Sequence, residues 1–117
     1  MLLLVDDEER ILSALCRSLR REGYELVTAR SAVEALRVLD ERPVNVILSD
    51  QKMPGTNGLD LFGEVSRRHP DVVRMLLTGW PEEVPAAEVE ALGIAAVIPK
   101  PWDDAVLKAA VRRHSSG

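Results

Sequence analysis

A single cysteine, Cys16, stands in a chain of 117 residues, so no disulfide can form within it, and a lone thiol suits a reducing cytoplasm. Cys16 itself reads as a small apolar residue on a helix. No apolar run reaches the ~18 residues that a spanning helix requires. The apolar start Met1-Leu2-Leu3-Leu4-Val5 has no basic flank and runs directly into Asp6-Asp7-Glu8-Glu9, so it reads as a buried strand rather than a signal peptide. Basic charge is not in excess either. The formal net charge is −4, which argues against direct nucleic-acid binding by this chain. The clusters Arg17/Arg20/Arg21 and Arg67/Arg68/His69 fall on polar faces or at helix ends, where solvation and dipole compensation explain them.

What is present is the balance of an ordinary soluble domain: 46% hydrophobic and 29% charged residues, in a length that holds one continuous core. Short apolar runs alternate with helix-period segments, the pattern of a parallel sheet covered on both faces. The expected strands are Leu2–Val5, Glu25–Ala29, Val44–Ser49, Val73–Leu77 and Ala95–Ile98. The third and fourth are almost continuous Val, Ile, Leu and Met, as central strands should be. Helical stripes run through Ile11, Leu12, Leu15, Cys16 and Leu19, through Val33, Leu36 and Leu39, and through Leu59, Phe62 and Val65. A weaker helix is expected over Glu82–Leu92, with Pro85 near its start. A clearer one covers Asp103–Arg113, capped by Asp103, with Val106, Leu107, Ala110 and Val111 along one side. The outcome is an α/β domain over 1–113, a doubly wound (βα)₅ sheet. Residues 114–117 read as a small polar tail, a linker start or a cloning remnant.

Open parallel sheets bind ligands beyond the carboxyl ends of their strands. Asp6 and Asp7 follow the first strand, Asp50 the third, Thr78 the fourth and Lys100 the fifth. Three carboxylates gathered there repel one another unless a cation neutralises them. Mg²⁺ fits, because it takes one or two carboxylates, keeps several waters and binds phosphate oxygens. An aspartate can act as nucleophile toward phosphorus, with a lysine and a hydroxyl stabilising the phosphoryl oxygens. Taken singly, each residue has a plain structural reading: the acidic run as helix-start compensation, Asp50 and Thr78 as turn formers, Lys100 as a solvated lysine. Their arrival together at strand ends, in order, favours the chemical one.

These residues resemble the receiver family of bacterial two-component response regulators over essentially the whole chain. The resemblance rests on the acidic pair, on Val46-Ile47-Leu48-Ser49-Asp50 followed by Met53-Pro54-Gly55 and Gly58, on Leu76-Leu77-Thr78-Gly79, and on Lys100-Pro101. The spacings of 28 from Asp50 to Thr78 and 22 from Thr78 to Lys100 are similar to the family's. It implies the flavodoxin-like receiver fold, with strand order 2-1-3-4-5, and Asp50 as phosphoacceptor. It makes Asp7 and Asp50 direct ligands of Mg²⁺ (or Mn²⁺), with Asp6 acting through water and Lys52 lending a backbone carbonyl. Thr78 would bond a phosphoryl oxygen and Lys100 would pair with the carboxylate or phosphoryl group, the Lys100–Pro101 bond being cis. The implied partners are a sensor histidine kinase or histidine phosphotransfer protein as donor, and an output domain or effector as receiver of the signal. A homodimer through the face of helix four, strand five and helix five is also compatible with it. The chain would self-phosphorylate and dephosphorylate but turn over no external substrate.

Asp50-Gln51-Lys52-Met53-Pro54-Gly55 with Lys100-Pro101-Trp102-Asp103 is similar to receivers joined to HD-GYP cyclic-di-GMP phosphodiesterases, and to some attached to transcription regulators. Two positions depart from the family pattern. Val97 stands where an aromatic residue commonly turns inward, and Pro99 removes a backbone donor from strand five, which suits an edge strand. Three rival functions fit less well. A haloacid-dehalogenase-type phosphatase needs a second aspartate two residues after its nucleophile, where this chain has Lys52. A flavin-binding protein needs a phosphate-cradling loop after strand one. A receiver-shaped interaction module that takes no phosphate has no need of the intact acidic set.

Overall fold

The computed structural model describes residues 1–115, the last of them by its backbone alone. Five parallel strands form one sheet in the order β2-β1-β3-β4-β5. They are β1 (Leu2–Val5), β2 (Leu26–Ala29), β3 (Val46–Asp50), β4 (Val73–Thr78) and β5 (Ile94–Pro99). The helices are α1 (Glu9–Leu19), α2 (Ala32–Glu41), α3 (Gly58–Arg68), α4 (Ala86–Ala91) and α5 (Asp104–Ser115). This is the (βα)₅ alternation expected from the sequence, in the flavodoxin-like strand order that the resemblance implies.

Side chains of successive strand residues leave on opposite faces, so each central strand feeds two cores. Leu3, Val5, Ile47 and Leu76 pack with Leu39 of α2 and with Leu61, Phe62 and Val65 of α3. Leu2, Leu4, Val46, Leu48, Met75 and Leu77 pack with Leu12, Leu15 and Leu19 of α1 and with Leu107 and Val111 of α5. Burying each such side chain contributes about 1.5–3 kcal/mol relative to leaving it in water. Every residue of β1 and β3 is buried, whereas the edge strand β5 alternates between cover and solvent.

Three helix starts carry side-chain caps. The Ser31 hydroxyl accepts from Glu34 N–H at 3.1 Å, Asn57 Oδ1 from Asp60 N–H at 2.9 Å, and Asp103 Oδ1 from Val106 N–H at 3.1 Å. The last of these is the cap expected for α5.

Several stripes differ from expectation. On α2 the buried residues are Ala32, Ala35 and Leu39, while Val33 is 68% exposed. Two apolar sets share the helical period one residue apart there, and the smaller one faces the sheet. On α5, Leu107 and Val111 are buried but Val106 is 55% exposed. The helix expected over Glu82–Leu92 divides into a 3₁₀ turn, Pro81–Glu83, and the short α4, with Pro85 as N-cap. Proline drives the residue before it out of the helical region, and Val84 is extended at φ −83°, ψ 115°. The strands also shift: β2 begins at Leu26 and β3 at Val46, while β3 and β4 extend to take in Asp50 and Thr78. The polar tail begins later than expected, since α5 takes in His114 and Ser115; Ser116 and Gly117 lie outside the described residues.

Candidate functional site

Four strand ends converge on one edge of the sheet. Asp6 leaves β1 fully buried, its backbone N–H donating to the Ala29 carbonyl at 3.1 Å. Its Oδ1 accepts from Glu8 N–H at 2.9 Å, which fixes the turn into α1. Asp50 ends β3 at 6% exposure, and Lys100 follows β5 with its backbone N–H on the Thr78 carbonyl at 2.8 Å. The Lys100 ammonium lies 2.8 Å from Asp50 Oδ1 and 3.1 Å from Asp6 Oδ2, and the Lys100–Pro101 bond is cis. Carboxylate oxygens of Asp6, Asp7 and Asp50 all fall within 4.8 Å of one another.

Three carboxylates therefore share one ammonium, an excess of two negative charges. Unit charges 4 Å apart repel by about 4 kcal/mol at an effective dielectric near 20. Burial pushes the Asp50 carboxyl above its ordinary range, and repulsion from Asp6 and Asp7 adds to this, so the opposing Lys100 hydrogen bond does not prevail. Burial opposes the Lys100 charge as well, but hydrogen bonds to Asp50 and Asp6 outweigh it and hold the ammonium above its ordinary pKa. A simple ion pair would lower the aspartate instead. The raised Asp50 reflects its burial first and its two acidic neighbours second; the all-oxygen donor set, with three carboxylates to one ammonium, fits a hard divalent cation such as Mg²⁺.

Thr78 ends β4 at 3% exposure, and its Oγ1 accepts from Trp80 N–H at 3.2 Å. Lys52 does not join the acidic group with its side chain. The Lys52 ammonium lies over the Trp80 ring, 4.1 Å from the centroid, a cation–π contact that bridges the loops after β3 and β4. Trp80 is 51% exposed beside the site. Gln51, Lys52, Leu59, Thr78, Trp80, Glu83 and Val84 line a small pocket of about 100 Å³ between these loops.

The sequence pattern did not single out what holds Asp50 in place. Gln51 N–H donates to the Leu77 carbonyl at 3.0 Å, its carbonyl accepts from Gly58 N–H at 3.0 Å, and its Oε1 accepts from Leu59 N–H at 2.9 Å. Gly58 permits the approach, because a Cβ there would lie 2.6 Å from the Asp50 carbonyl oxygen. Met53, at 8% exposure, plugs the loop into the core.

The sequence profile of the response regulator receiver domain matches residues 2–112. The chain belongs to the response regulator receiver family. This receiver domain is 44% identical over 101 residues to the hydrogenase transcriptional regulatory protein HoxA of Cupriavidus necator, covering 86% of the chain and 21% of HoxA. It thus spans about a fifth of that relative's length. Among solved structures, it resembles the signal receiver domain of an HD domain-containing protein from Pseudomonas fluorescens Pf-5. That likeness has a TM-score of 0.91 and 35% identity, over 97% of this chain and 91% of the other. It also resembles the response regulator TrrA of Thermotoga maritima in complex with Mg²⁺-BeF, at TM-score 0.87 and 30% identity over 96% of each chain. Receiver domains are signalling domains of two-component systems rather than turnover enzymes. No helix among the described residues is long and apolar enough to cross a membrane.

Proposed function

We propose that this receiver domain accepts a phosphoryl group on Asp50 from a phosphohistidine of a sensor kinase or phosphotransfer protein, and passes a conformational change to an output domain or effector. The observation that carries this reading is the buried Asp50 carboxylate held 2.8 Å from the Lys100 ammonium, beside two further aspartates. An Asp50 carboxylate oxygen attacks phosphorus, the P–N bond to the histidine breaks, and the imidazole nitrogen leaves with the bonding pair and takes a proton from solvent. Lys100 stabilises charge on the phosphoryl oxygens, and Thr78 donates its hydroxyl to one of them.

Mg²⁺, or Mn²⁺, would be held by Asp7, Asp50 and the Lys52 backbone carbonyl, with Asp6 acting through water, and would neutralise the attacking and transferred oxygens. Two features favour this division: both Asp6 oxygens already have partners, and Asp7 is the more exposed of the pair. The exchange takes place in the cytoplasm, in keeping with a lone cysteine outside any disulfide. Both output classes have a counterpart among the similar proteins, since HoxA is a transcriptional regulatory protein and the Pseudomonas receiver comes from an HD domain-containing protein. A homodimer through α4, β5 and α5 is compatible with the same reading.

Incubation with acetyl phosphate and Mg²⁺ tests the assignment. Intact-mass measurement should find one phosphoryl group on the wild-type chain and none on Asp50→Asn, and labelling that persists in the variant would refute it.

A further inference from the structure

Lys100 is anchored firmly on one side only by the sheet. Its backbone N–H closes the last rung with Thr78, but residues 100–103 belong to no regular element before α5 begins. The anchor on the other side is Trp102. Its indole Nε1–H reaches Ser18 Oγ on α1 at 3.2 Å and Asp104 Oδ1 on α5 at 3.1 Å. The Ser18 hydroxyl donates to the same Asp104 oxygen at 2.7 Å, which closes a polar triangle over three elements. The hydrogen bond from Ser18 holds the Asp104 carboxyl below the usual carboxylate range, with Trp102 and nearby Lys108 adding to it. The acceptor is thus a carboxylate, and hydrogen bonds to it are charge-assisted. The indole body packs against the α1–α5 core, so packing alone accounts for the ring but not for the direction of its N–H.

We propose that Trp102 is a positioning residue: its indole N–H, shared by Ser18 and Asp104, pins the segment after β5 to α1 and α5 and fixes where the Lys100 ammonium lies between Asp6 and Asp50. This rests on the reading of Lys100 as the group that stabilises the transferred phosphoryl oxygens. A four-carbon side chain magnifies any backbone shift at its base, and displacement of a reacting group by about 1 Å can cost on the order of 100-fold in rate.

The test is a double-mutant comparison of phosphorylation rate by acetyl phosphate at saturating Mg²⁺. Trp102→Phe, which keeps the ring and loses the N–H, and Ser18→Ala should each lower the rate on the order of tenfold. In a Lys100→Met background neither should lower the residual rate further, and there neither should shift the Mg²⁺ midpoint, because Asp6, Asp7 and Asp50 are untouched. An equal fold-loss in both backgrounds, or no loss in the first, overturns the positioning role while leaving Lys100 in its own. A rate that Lys100→Met itself leaves unchanged overturns the assignment of Lys100, and the positioning role with it. Ser18→Ala removes one partly exposed hydroxyl, so the comparison stands even if Trp102→Phe fails to fold.

Discussion

At Asp50, burial and two neighbouring carboxylates act against ionisation, and this has a consequence for stability. A carboxyl whose folded pKa is raised binds its proton more tightly folded than unfolded. Stability is then greatest below the unfolded value near 3.8 and falls as pH rises through the folded one. At neutral pH the metal-free chain carries that cost, and Asp50→Asn removes it. In chelator, Asp50→Asn should melt above wild type at pH 7, with the gap closing at about pH 4, where the unfolded carboxyl also holds much of its proton. Mg²⁺ at 100 times its Kd should add about 2.7 kcal/mol to wild type and reverse the order at pH 7. A wild type that is the more stable in chelator would count against the repulsive cluster. The two aspartates after β1 are distinguished by their partners. Asp6 already accepts from Glu8 N–H and pairs with Lys100, so Asp7→Asn should weaken Mg²⁺ binding more than Asp6→Asn. Calorimetric titration giving equal or reversed losses would reject that ranking.

At the scale of elements, the junction of β3 and α3 sets the position of Asp50. Gly58→Ala would drive a Cβ to 2.6 Å from the Asp50 carbonyl oxygen and 2.9 Å from Leu76 Cδ1, and a strand backbone cannot yield cheaply. The variant should lose about 1–3 kcal/mol in denaturant unfolding and phosphorylate more slowly. Unchanged stability would mean that α3 can withdraw without strain. The sequence was legible where one physical signal dominated: continuous apolar runs for β1, β3 and β4, and acidic or hydroxyl residues at strand ends for the site. It was ambiguous on α2 and α5, where apolar residues adjacent in sequence offered two stripes and size did not decide between Val33 and Ala32. It was silent on the Ser18–Trp102–Asp104 triangle, whose members lie 84 and 86 residues apart and leave no local pattern. The Lys52–Trp80 stack joins two loops and is equally invisible to periodicity.

For the molecule as a whole, the question is where the signal leaves the site, and the two faces differ in what they can yield. On one face, α1 and α5 bury Leu12, Leu15, Leu19, Leu107 and Val111 and are tied together by the Trp102 triangle. On the other, α4 has six residues and none of them is buried. Its C-terminal end is held by Arg74, whose Nε–H donates to the Leu92 carbonyl at 2.8 Å, while its start hangs from the loop Gly79-Trp80-Pro81. Few apolar contacts are lost when such an element shifts, so it belongs to the low-stability end of the fold. Val97 supplies no large ring to fill space that Thr78 vacates, which leaves the Trp80 loop as the responding part. Under the proposed phosphorylation of Asp50, acceptor oxygens would lie beside Thr78, and the Thr78 hydroxyl turning toward them would give up its bond from Trp80 N–H, the link that now holds the loop. Beryllofluoride with Mg²⁺ should therefore change Trp80 emission in a Trp102→Phe background, and Thr78→Ala should abolish the change. With the ring stacked under the Lys52 ammonium at the outset, even a small loop movement alters its surroundings. Emission that stays constant while beryllofluoride binding is confirmed by calorimetry would place the exit of the signal elsewhere than at α4.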